Sequence, residues 1–170
     1  MKKLYIILFA FLISTTNVYS AGGSGGDSGG SGGDGADNKQ SMFKSATNYV
    51  KAGKKLEKKG KLEKAKTKYE KAFKRLLKAN DKDPSNPDVL NYLGFTSRKL
   101  GNFVDAEDYY MKGLKINPNH NGINEYLGEL YLSTNRPEKA KERLLVLKNC
   151  NCEEYEELKA LINGTKESKY

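Results

Sequence analysis

"LNYLGFTSRKLGNFVDAEDYYMKGLKINPNH", residues 90–120, lies over "NEYLGELYLSTNRPEKAKERLLVLKNCNC", residues 124–152, when the chain is shifted against itself by 34 positions. Tyr92-Leu93-Gly94 recurs as Tyr126-Leu127-Gly128, and Ala106 recurs as Ala140. Tyr110 meets Leu144, and Gly113 meets Leu147. An earlier copy, "YVKAGKKLEKKGKLEKAKTKYEKAF" over residues 49–73, carries Gly53, Gly60, Ala65, Tyr69 and Ala72. Gly53 precedes Gly94 by 41 residues, one repeat of 34 plus seven. Small residues at these intervals let two antiparallel helices approach closely, while the large ones fill the spaces between them. Each helix pair leaves an apolar flank that only the next pair can cover, so the units stack.

A 34-residue period with this residue set resembles the tetratricopeptide repeat over residues 46–152. Counted from Pro87, the residues Leu93, Gly94, Ala106, Tyr110, Gly113 and Pro118 hold the places that family favours. The third copy offers Leu127, Gly128, Tyr131, Ala140, Leu144 and Leu147, with Cys152 where the proline would stand; the first offers Ala52, Gly53, Leu56, Ala65, Tyr69 and Ala72. The resemblance implies an all-α, right-handed α-solenoid of three helix-turn-helix repeats with a C-terminal capping helix. Gly60, Gly101 and Asn135 mark the turns inside each pair, followed by Leu62, Phe103 and Pro137. Leu62, Ala65, Tyr69, Ala72 and Leu76 keep a helical spacing through the seven extra residues, so these lengthen the second helix of the first repeat by two turns, roughly 10 Å. Asp83-Pro84-Ser85-Asn86-Pro87 then breaks it.

The divisions that follow are 41–86 for repeat 1, 87–120 for repeat 2, 121–152 for repeat 3, and 153–170 for the capping helix and tail. Residues 1–20 read as a signal peptide: Lys2 and Lys3, the apolar run Leu4–Ser14, and Val18 and Ser20 before a cleavage point at Ala21. The apolar run is short of the roughly 20 residues that span a bilayer. Residues 21–40 read as a flexible Gly/Ser/Asp linker, because the aspartate repeat lacks the large apolar residue that a calcium-binding β-roll buries. The expectation is an exported protein, periplasmic or secreted, soluble once the leader is removed.

In that compartment Cys150 and Cys152, the only cysteines, are expected to oxidise. A structural clamp between repeat 3 and the capping helix is the favoured reading. Thiols that stay free or pair with another chain, and a thiol-disulfide oxidoreductase pair, stand as alternatives. Zinc is disfavoured, since His120 alone could assist. Asn151 is a candidate cap for the last helix, with Glu154 three residues on, and Tyr155, Leu158, Leu161 and Ile162 make its apolar stripe. Glu153, Glu156, Glu157 and Lys159 are assigned to solvent, and His120 to an exposed turn.

The resemblance also implies a concave groove lined by the first helix of each repeat. Carried onto this sequence, it consists of Val50, Lys51, Lys54, Glu57 and Lys58; Asp88, Asn91, Tyr92, Phe95, Arg98 and Lys99; and Glu125, Tyr126, Glu129 and Leu132. It runs from basic through aromatic to acidic. Glu125 and Glu129 would repel the terminal carboxylate that some members of the family hold. Phe95 is taken as an exposed anchor for a ligand. Residues 41–82 hold 15 basic and 4 acidic side chains, while 83–170 hold 12 and 14. The basic half is a solvated face or a surface for anionic lipid or glycan. Nucleic acid is not an expected partner, because aromatic residues do not interleave the lysines. No nucleophile–His–acid set, phosphate loop or helical metal pair is present, and no cofactor is implied. The expectation is a non-enzymatic binder of protein or peptide in the cell envelope.

Overall fold

The computed structural model describes residues 35–166, so the expected leader and most of the expected linker lie outside the described residues. Seven helices follow one another: α1 (Gly35–Glu57), α2 (Leu62–Lys82), α3 (Pro87–Lys99), α4 (Phe103–Ile116), α5 (Asn121–Ser133), α6 (Pro137–Leu147) and α7 (Glu153–Ile162). They pack as the pairs α1–α2, α3–α4 and α5–α6, each pair stacked on the next, with α7 laid against α5 and α6. Among the described residues there is no strand. The architecture is an all-α solenoid.

The local chemistry of the chain sets the boundaries of these helices. Asn86 caps α3 through its side chain, accepting from the backbone N–H groups of Asp88 at 3.0 Å and Val89 at 3.3 Å, with Pro87 in the first turn. His120 caps α5: its Nδ1 accepts from Ile123 N–H at 3.2 Å while Nε2 lies 3.0 Å from Asp88 Oδ1. This corrects the expectation of a free turn residue. His120 ties the starts of two stacked first helices together. Within the pairs, Asn135 turns the chain at φ 58°, the left-handed place that Gly60 and Gly101 hold in the earlier repeats.

The repeat glycines are sites of close approach. A β-carbon at Gly94 would run into the Tyr110 ring of the same repeat, and one at Gly53 would sit 2.5 Å from the Tyr69 ring. The third repeat departs from this. Gly128 is covered not by Leu144 but by Leu158 of α7, 2.6 Å from where a β-carbon would stand. Leu158 is fully buried and Leu144 only half so. The last helix therefore supplies the knob that the third repeat's own second helix lacks, and Ile162 packs on the same core.

Two boundaries differ from expectation. Helix α2 has 21 residues against 14 in α4, the expected two extra turns, but α1 is lengthened too. It starts at Gly35, inside the stretch 21–40 assigned to a linker. From Met42 on, the added turns of α2 give α1 an apolar partner. Their Leu76 and Ala79 form an apolar surface together with Ala46 of α1, and Met42 and Phe43 pack beside it. An elongated second helix needs an elongated partner. At the other end Asn151 does not cap α7. It takes the left-handed turn itself at φ 49°, and Cys152 stands at the cap without a side-chain hydrogen bond. The Sγ atoms of Cys150 and Cys152 lie at disulfide distance, with Cα atoms 5.2 Å apart.

Candidate ligand groove

The first helices α1, α3 and α5 share one face of the solenoid, and α7 closes its far end. Between them lies a cavity of about 880 Å³. An aromatic ladder backs this face. Tyr69 meets Phe95 edge-on at 5.9 Å, and Phe95 meets Tyr126 at 5.2 Å. Cations rest on the ladder: Lys54 Nζ stands 4.5 Å from the Phe95 ring centre, and Arg98 lies 5.5 Å from the Tyr126 ring. Their stems cover the aromatic carbon while their heads find acceptors or carboxylates. Lys54 donates to the Tyr126 hydroxyl at 3.1 Å. Arg98 pairs with Glu129 at 2.7 Å, its side chain fully buried. Lys99 pairs with Glu57 at 2.9 Å, and Tyr69 donates to the other oxygen of Glu57 at 2.8 Å.

Of the expected groove residues, Lys54, Glu57, Lys58, Lys99, Glu125, Tyr126 and Glu129 line the cavity. The others have different settings. Val50 is core, 2% exposed among Ala65, Tyr69 and Ala72. Phe95 is core as well, at 1%, which overturns its reading as an exposed anchor. The covering comes from residues distant in sequence: Tyr69, Tyr126 and the stem of Lys54. Asn91 is buried at the start of the α3–α5 contact, where its side chain stands against Gly122. Tyr92 packs edge-on against Phe43, 5.5 Å away. Arg98 is buried behind the cavity, Lys51 points to solvent, Asp88 is spent on His120, and Leu132 packs on the core of the third repeat.

The far wall was missed by sequence reasoning. Glu153, Glu154, Glu157 and Leu161 of α7 line the cavity, together with Leu62 at the start of α2 and Lys166 beyond α7. Glu157, assigned to solvent, is half-buried here and forms an ion pair with Lys166. The signal was in the helix register: residues 153, 157 and 161 recur at intervals of four, so they share one face of α7. Six carboxylates and four lysines border the space.

Burial governs the titration of these groups. It pulls Lys54 and Lys99 below the ordinary lysine range, against the opposing pull of nearby glutamates. Glu125 makes no ion pair within 4 Å among the described residues. Burial, then the charges of Glu129 and Glu154, push its carboxyl up to about 8, although Lys54 and Arg98 pull the other way. A second, shallower hollow of about 410 Å³ lies between Lys148, Asn151, Cys152 and Tyr155. Among the described residues no group of three His, Cys, Asp or Glu is placed to hold a metal ion, and no helix is long and apolar enough to cross a membrane.

The model of the tetratricopeptide repeat matches residues 87–120, which are α3, α4 and the turn to α5. A copy at 34-residue offset follows it and one at 41-residue offset precedes it, each forming the same kind of helix pair. The chain carries a tetratricopeptide repeat. No curated protein sequence matches it. Solved structures of similar fold include the type III secretion chaperone SycD of Yersinia enterocolitica in complex with a peptide of the translocator YopD. It is 18% identical at TM-score 0.59, over 75% of this chain and 88% of that one. PcrH in complex with the chaperone binding region of PopB is 17% identical at TM-score 0.59, over 79% of this chain and 98% of that one. The first repeat domain of Spaghetti (RPAP3) bound to an HSP90 peptide is 24% identical at TM-score 0.51, over 72% of this chain and 94% of that one. This chain shares their fold while differing from them at more than three residues in four.

Proposed function

We propose that this protein is a non-enzymatic adaptor of the cell envelope that holds an extended segment of a partner protein in the cavity between α1, α3, α5 and α7. The observation that carries the reading is the cavity itself. At about 880 Å³ it falls within the range of about 300–1,000 Å³ typical of ligand sites. Tyr126 lines it, with Phe95 and Tyr69 buried behind, and its walls offer charges of both signs. SycD, PcrH and RPAP3, which share the fold, were solved with peptides or a binding region of a partner, and this supports the choice of ligand class. The leader-like residues 1–20 support export, and in an oxidising compartment Cys150 and Cys152 would be bonded.

The test is a photo-crosslinking residue placed at Lys58, on the cavity rim, and separately at Lys74, exposed on α2. A discrete protein adduct from Lys58 alone, competed away by excess unlabelled protein, is the expected result. Equal adducts from Lys74, or none from Lys58, would overturn the proposal.

A second reading has its own observation. Lys64, Lys66, Lys71, Lys74, Arg75 and Lys78 are all exposed along α2, and none of them lines the cavity. Such a face can meet an anionic lipid or glycan surface through charge alone.

A further inference from the structure

We infer that the groove takes a cationic segment, seating a lysine or arginine head group between α5 and α7 against Glu125 and Glu154. The inference rests on the cavity being a peptide site, and it adds the chemistry of the occupant. Charge placement is the first argument. The basic members of the lining are largely engaged: Lys99 with Glu57, Lys54 with the Tyr126 hydroxyl and the Phe95 ring, and Lys166 with Glu157. Among the acids, Glu57, Glu129 and Glu157 have those cations or Arg98 as partners. Glu125 and Glu154 line the same cavity and form no ion pair within 4 Å among the described residues. The space therefore holds two carboxyl groups side by side without a cationic partner, and Lys166, paired with Glu157, shows that an ammonium group suits that wall.

The second argument is the state of Glu125. The charged groups that face it are Lys54 on α1, Arg98 on α3, Glu129 on α5 and Glu154 on α7. With the cavity empty of ligand, burial and the two glutamates outweigh the two cations, and the carboxyl holds its proton up to a pH of about 8. An arriving ammonium or guanidinium group reverses that balance, so binding expels the proton. The sign follows. Below pH 8 the cation must displace a proton, so affinity climbs with pH, by up to about tenfold per unit, and levels off above 8. A segment held through the lysine side alone would show no such climb.

The experiment selects a displayed library of random twelve-residue peptides on the full chain at pH 8.5. Enriched peptides are then titrated calorimetrically at pH 6 and pH 8.5, in buffers of different ionisation heat. Lysine- or arginine-containing peptides that bind more tightly at the higher pH and release up to one proton at pH 6 are expected. Their affinity is expected to fall at least tenfold at pH 8.5 in Glu125→Gln, with Glu154→Gln as the second variant should the first fold poorly. Enriched peptides that protect the Lys58 photoprobe but carry no basic residue would overturn the inference and leave the peptide reading standing. Basic peptides indifferent to pH and to both variants would overturn it as well. A library yielding no binder at all would remove the peptide reading and this inference with it.

Discussion

Phe95 stands where the repeat register puts a groove side chain, yet it is 1% exposed. The register is sound, since Lys54, Lys58, Lys99, Glu125, Tyr126 and Glu129 reach the cavity from the same set of places. What sequence spacing does not carry is the length of neighbouring side chains. Lys54, 41 residues before Phe95, and Tyr126, 31 residues after it, fold over the ring and take it from solvent. The consequence is energetic. Phe95→Ala would empty a space bounded by Tyr69, Tyr126, Val50 and Ala72, and losses of about 3–5 kcal/mol are usual for such truncations. Denaturant unfolding is the check. An unchanged midpoint, with weakened ligand binding alone, would return Phe95 to the role of exposed anchor.

At the scale of the element, α7 does two things that its sequence disclosed unequally. Its apolar stripe was legible, and Leu158 does cover the third repeat, in the hollow that Gly128 leaves. Its acidic face was read as solvated, because a single helix does not say which open space its polar side borders. Of the residues so read, Glu153 and Glu157 turn out to wall the cavity, joined by Glu154 and by Leu161 of the apolar stripe. The length of α1 was hidden because residues 35–40 have little apolar pattern of their own. The turns, by contrast, were plain, since Gly60, Gly101 and Asn135 need a left-handed backbone. If α7 is held partly by a Cys150–Cys152 bond, closing so short a loop removes little chain entropy, and the gain is expected to lie below the usual 2–4 kcal/mol, at about 1–2 kcal/mol. A repeat array frays from its ends. Replacing both cysteines by serine is therefore expected to speed amide exchange over residues 153–162 while α1 to α4 stay protected. Exchange that quickens throughout the chain would show α7 to be part of one cooperative unit.

Across the whole molecule, charge is divided between two surfaces. The stretch 41–82 carries 15 basic side chains, yet only Lys54 and Lys58 of these line the cavity, and most of the others stand exposed on α1 and α2. The cavity itself is bordered by more carboxylates than lysines. One chain therefore offers a groove rich in carboxyl groups and a positive outer helix, and the two readings of its function make opposite demands on them. Exchanging Lys64, Lys71 and Lys78 for glutamate alters three exposed residues of α2 and reverses the sign of much of that face. Surface substitutions of this kind usually change stability by no more than about 0.5 kcal/mol each. If the adaptor reading holds, the triple variant keeps its Lys58 crosslink and its peptide affinity, with a modest dependence on salt. If the outer face is the working surface, binding to vesicles containing anionic phospholipid falls away in the variant, and in the unaltered protein it weakens steeply as salt shortens the screening length from about 30 Å at 0.01 M to about 10 Å at 0.1 M. Co-sedimentation with such vesicles, run beside the crosslink on the same two proteins, separates the groove from the outer helix.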